Sequence, residues 1–150
     1  MSFNMSPDSK MYFNKINRES KSGKFQTQFD FYYLCLIMGL IKKELKENIG
    51  EKFLDEFPSD YHAQREQILG LLISSEIERK GVDFDDRKKI EETMLKMVKP
   101  DSPTRLSETG EKLVNQYAQG GFELISNKIP SAYNLDTFLI HYYKLLISKK

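Results

Sequence analysis

The 150 residues carry 39% hydrophobic and 30% charged side chains with only 8 glycines and 5 prolines, a balance that excludes disorder throughout and suits one folded domain over residues 1–150. The lone cysteine, Cys35, excludes an internal disulfide. The start MSFNMSPDSKMYF lacks a signal-peptide core and no apolar run reaches about eighteen residues, so a cytoplasmic protein without secretion or membrane association is expected.

SPDSKMYFNKINRES opens the first helix, from about Pro7 to Ser20. Ser6 suits the N-cap, Pro7 the first helical position, and Asp8 the positive end of the helix dipole. KSGK then breaks the pattern, with Gly23 as the left-handed stop. A second helix starts at Thr27, where Thr27 and Asp30 form a variant capping box. Its apolar residues, from Phe29 through Leu45, wrap nearly the whole circumference, which predicts burial on several sides. Continuation into the helix-favouring IKKELKE selects helix over strand.

EKFLDEF reads as a short helix ended by Pro58. SDYHAQREQILGLLISSEIERKG reads as a long one, capped by Ser59 or Asp60 and stopped at Gly81. In DFDDRKKIEETMLKMVK the early acids and late Lys99 match the dipole. After the PDSPT connection, RLSETGEKLVNQYAQGGFELISNK is helical, with Gly120 and Gly121 marking a kink or a close helix contact. NLDTFLIHYYKLLISKK closes the chain, with Asn134 as cap and a stripe of Leu135, Phe138, Leu139, Tyr142, Leu145 and Leu146. No alternating strand pattern or fixed-period repeat is found. An all-α fold follows, with six or seven helices around a central aromatic-rich helix from Phe31 to Leu45.

The polar inventory offers no paired set at catalytic spacing. His62 and His141 are the only histidines and stand in no metal-binding motif; His141, between Ile140 and Tyr142, suits packing or an interface. VDFDD lacks the ligand ladder of a calcium loop and suits capping instead, and no Lys-Ser or Lys-Thr follows the glycine pair. No catalytic residue, metal site or cofactor is expected, and the chain is read as not an enzyme.

Charge is distributed unevenly. Residues 1–46 hold eight Lys and Arg against four Asp and Glu, whereas residues 47–99 hold nine against thirteen. Lys10, Lys15, Arg18, Lys21 and Lys24 surround the Ser-Gly turn, and Lys42, Lys43 and Lys46 follow the next helix. Such residues neutralise phosphates without reading bases. Arg18, Lys21, Lys24, Lys42, Lys43 and Lys46 are accordingly the expected DNA-contact set and should be exposed, flanking a buried Phe31–Ile41 core in which Cys35 reacts slowly.

The order of helix, basic Ser22-Gly23 turn and buried helix carrying Leu34, Cys35 and Leu36, with AQGGFELI at 118–125, resembles DndE, a small all-helical component of bacterial DNA phosphorothioation systems. That resemblance implies a non-catalytic, oligomeric subunit that binds DNA, including nicked duplex, beside the protein subunits of a modification and defence complex. A second class stays open from the residues: a protein-interaction adaptor in which aromatic helices and the acidic middle dock a partner or a second copy. The apolar surplus of FLIHYYKLLISKK points to a homo-oligomer in either case.

Overall fold

The computed structural model describes residues 2–129 and 134–149. In chain order the elements are β1 (Phe3–Met5), α1 (Pro7–Glu19), α2 (Gln28–Lys42), β2 (Glu51–Leu54), a 3-10 turn (Ser59–Gln64), α3 (Arg65–Arg79), α4 (Arg87–Met97), α5 (Glu108–Lys128) and α6 (Leu135–Ile147). The fold is all-α, with one minimal two-stranded sheet at its side.

Local chemistry accounts for most helix starts. The Ser6 hydroxyl accepts the Ser9 amide hydrogen, with Pro7 in the first turn. At Thr27 both halves of the capping box form: Thr27 Oγ1 accepts from Asp30 N at 3.3 Å and Asp30 Oδ2 accepts from Thr27 N at 2.9 Å. Asp86 and Ser107 cap α4 and α5 in the same manner, and Gly81 follows α3 in a left-handed conformation, φ 66°.

Four expectations are corrected. Helix α1 ends at an extended Ser20 whose amide bonds Ile16 O, three residues before Gly23, so the glycine is not its stop. Helix α2 ends at Lys42, with Lys43 left-handed at φ 56° and ψ 43°. Its continuation is stripped of helix because the following backbone lies across α5: Lys46 N donates to Gln116 O at 3.1 Å. EKFL is a strand, pairing antiparallel with residues 3–5 in the register Phe3 to Leu54, Asn4 to Lys52 and Met5 to Glu51. That pairing anchors Phe3, fully buried in edge-on contact with Phe29 and Phe57. The start of the SDYHAQREQ segment is 3-10, and α-helix begins only at Arg65.

Helix α2 is the centre of the core, as its all-round apolar pattern requires. Phe29, Phe31, Tyr32, Cys35, Leu36, Met38 and Leu40 are buried, and its most extensive partner is α5. Those two helices meet backbone to backbone. A Cβ on Gly121 would fall 1.8 Å from Cys35 O, and one on Gly39 would fall 1.9 Å from Tyr117 O. The glycine pair therefore makes a close contact inside an unbroken α5, not a kink. Around this seam Phe13 stacks on Phe31 at 4.7 Å and meets Phe138 of α6 edge-on at 5.6 Å.

Candidate nucleic-acid interface

The turn between α1 and α2 is built by an exchange of hydrogen bonds with α6. Helix α6 begins without a side-chain cap of its own, because Asn134 Oδ1 accepts from Lys21 N at 2.8 Å instead. Its first two amides are satisfied from across the fold: Leu135 N donates to Ser20 Oγ at 3.0 Å and Asp136 N to Ser22 Oγ at 3.1 Å. Ser22 in turn donates to Asp136 Oδ1 at 2.9 Å. The free amides of a helix N-terminus need such partners, so Ser20 and Ser22, on either side of Lys21, act as a remote cap that fixes the turn to α6.

Arg18, in the last turn of α1, and Lys21 and Lys24, on that fixed turn, are all exposed and, among the described residues, in no ion pair. Lys15, one turn before Arg18 on α1, is exposed as well. Lys10 is not part of this group; it lies at the other end of α1 beside Ile49 and Glu51.

The far end of α2 departs from the expectation of exposed cations. Lys42 is half-buried and its ammonium donates to the Ser148 carbonyl, near the end of α6. Lys43 is half-buried and paired with Glu78 at 2.7 Å. Only Lys46 of this trio is exposed and outside the ion pairs of the described residues. The six cations thus divide into a clustered three, an isolated one and two engaged within the fold, so a surface fed equally by both ends of α2 is not present.

A charged cluster that sequence reading missed joins α3 to α5. The Glu76 side chain is fully buried and takes a two-pronged hydrogen bond from Arg79, at 2.7 and 2.9 Å. Tyr117, itself buried, donates to the same carboxylate at 2.6 Å. Burial alone would raise the Glu76 carboxyl; the hydrogen bonds from Arg79 and Tyr117 and the charges of Arg79 and Lys80 outweigh it and hold it below its ordinary range. Three hydrogen bonds and the Lys80 ammonium at 3.9 Å all come from structural partners, which gives this carboxylate the role of an α3–α5 tie. The signal in the sequence was slight: Glu76 stands between Ser75 and Ile77, both buried.

Two of the open clefts carry titratable side chains at their edges. A groove of about 620 Å³ runs between α1 and α5, floored by Tyr12 and Phe122 and rimmed by Asp8, Lys15 and Glu123. A smaller cleft of about 260 Å³ has His62, Arg65 and Arg105 at its edge. His62 faces the Phe57 carbonyl at 3.2 Å, and His141 is exposed on α6. Among the described residues no three His, Cys, Asp or Glu side chains gather where they could hold a metal ion, and no helix is long and apolar enough to cross a membrane. Burial pushes the Cys35 thiol well above its ordinary range, in keeping with a slow-reacting core cysteine. In comparisons with known proteins the chain matches no family model, no curated protein and no solved structure.

Proposed function

We propose that this chain is a non-catalytic accessory subunit that binds the backbone of DNA through the basic turn between α1 and α2, within a bacterial DNA modification and defence complex of the kind the DndE resemblance implies. The observation that carries the DNA contact is the trio Arg18, Lys21 and Lys24, exposed at the end of α1 and on the turn after it, which Ser20 and Ser22 bond to α6. Free cations on a fixed turn release counterions on meeting phosphates and lose little conformational freedom beyond their own side chains. Lys46 is a separate contact, and Lys42 and Lys43 leave the set because their ammonium groups already serve the fold.

The test is a binding titration on intact and nicked duplexes across about 50 to 200 mM salt, where affinity should fall linearly in log-log form. Changing Lys21 and Lys24 to Glu should weaken binding to both duplexes and reduce the salt slope by about 2, with the thermal midpoint unchanged. Parental affinity in that double variant would overturn the reading.

The adaptor reading is favoured by one observation, the exposed apolar side of α6. It predicts a protein complex whose stability changes little over the same salt range.

A further inference from the structure

The connection between α4 and α5 is hydrogen-bonded along its length. Val98 bridges to Leu106, Lys99 N donates to Arg105 O at 2.9 Å, and Ser102 Oγ donates to Leu106 O at 2.8 Å. Thr104, fully buried, donates through its hydroxyl to Glu111 Oε2 at 2.6 Å. This scaffold holds Arg105 in the left-handed backbone region, φ 65°, with its amide bonded to Ser102 O as well. Glycine adopts that conformation freely, whereas a residue with a β-carbon is strained there. Strained positions of this kind gather at ligand sites, and here the strained residue is a cation that lines a cleft.

The cleft, of about 260 Å³, lies between this connection and the start of α3. Its guanidinium groups are tethered but not used up. Arg105 Nη1 donates to Pro100 O at 3.0 Å, and Arg65 Nε donates to His62 O at 3.3 Å. Among the described residues neither arginine joins an ion pair, although Glu66 lines the same cleft. Arg105 therefore keeps Nε and Nη2, and Arg65 both terminal nitrogens, as donors for a ligand. Arg79 is the contrast, since two of its nitrogens are spent on Glu76. The remaining walls of the cleft are apolar, formed by Leu69, Val98 and Pro100.

We infer that this cleft binds a small organic carboxylate, with the carboxyl group taken by Arg65 and Arg105 and the hydrocarbon body laid against Leu69, Val98 and Pro100. Guanidinium forks match a planar carboxylate with two parallel hydrogen bonds. Charge selects a single anion: two arginines against Glu66 leave one positive charge, which a monoanion balances and a phosphate monoester, at about −1.5 to −2, exceeds. Volume sets the size, because the cleft falls below the roughly 300–1,000 Å³ of sites for drug-sized ligands.

The test is an NMR titration of the isotope-labelled full chain at constant ionic strength, with isovalerate as the probe and acetate, inorganic phosphate and the neutral isovaleramide as comparisons. Isovalerate should shift the Arg65 and Arg105 side-chain signals saturably, with acetate weaker for want of an apolar body and the amide silent. Arg105→Gly removes one fork and the backbone strain together. It should weaken isovalerate binding by about tenfold or more, while the melting midpoint stays at or above the parental one. Arg105→Lys keeps the charge without the fork and should bind almost as weakly. No saturable response up to about 10 mM isovalerate, or equal binding of the amide, overturns the proposal. Tighter binding of inorganic phosphate than of isovalerate, or parental affinity in Arg105→Gly, overturns it as well.

Discussion

Glu76 illustrates how much a single side chain contributes that its neighbours in sequence do not announce. A carboxylate without exposed side-chain surface must be compensated, and Arg79, Tyr117 and Lys80 do so from two helices. Its folded-state pKa lies below the ordinary 4.5, so the unfolded chain binds the proton more tightly. The stabilisation is therefore fully present above about pH 4.5 and is lost as pH falls through the lower, folded value. Thermal melts at decreasing pH should show the midpoint dropping in that window, with a smaller drop in Glu76→Gln, which has no carboxyl to protonate. Identical pH profiles for the two would mean that the cluster contributes nothing to acid sensitivity. Leu36 is the apolar counterpart, readable in advance because the residues around it are apolar on every side: with 0% exposure, Leu36→Ala should cost about 2–5 kcal/mol by denaturant unfolding. What made Leu36 legible and Glu76 obscure is the same fact. Apolar burial follows from pattern, whereas a buried charge depends on partners that the fold brings from elsewhere.

Between elements, the decisive contact is the α2–α5 seam, where glycine acts by what it lacks. Alanine is favoured over glycine inside a helix by about 1 kcal/mol, so Gly121→Ala judged by propensity should stabilise. The added methyl would instead collide with the Cys35 carbonyl, and Gly39→Ala with that of Tyr117. Both helices would have to separate. Each substitution should lower the melting midpoint, while Gly70→Ala in α3, where nothing lies within 4 Å of the new Cβ, should raise stability by about 0.5–1 kcal/mol. The contrast in sign between equal substitutions isolates packing from propensity, and a stabilised Gly121→Ala would show that the seam is loose. Helix starts at Ser6 and Thr27 were legible in the sequence because each cap acts within three residues. The strand Glu51–Leu54 was not, because the partner that overrides its local preference is residues 3–5, and the end of α2 was not, because the α5 backbone enforces it. The remote cap of α6 belongs to the same class: Ser20 reads as a helix end and Ser22 as a loop residue until the fold brings Leu135 and Asp136 to them.

At the scale of the whole molecule, α6 links the two surfaces that the sequence suggested separately. Its first turn is bonded to the basic turn through Ser22 and Asp136, and its outer side is apolar and exposed at Ile140, Tyr143 and Ile147. The candidate site was partly legible for this reason: Arg18, Lys21 and Lys24 stand close together in the chain and stay together in the fold, while Lys42 and Lys43 were drawn away by Ser148 and Glu78. One copy of the trio gives a log-log salt slope of about −3 on meeting phosphates, so changing Lys21 and Lys24 to Glu should bring it to about −1 in the salt titration, and an unchanged slope would show that the turn does not meet the DNA backbone.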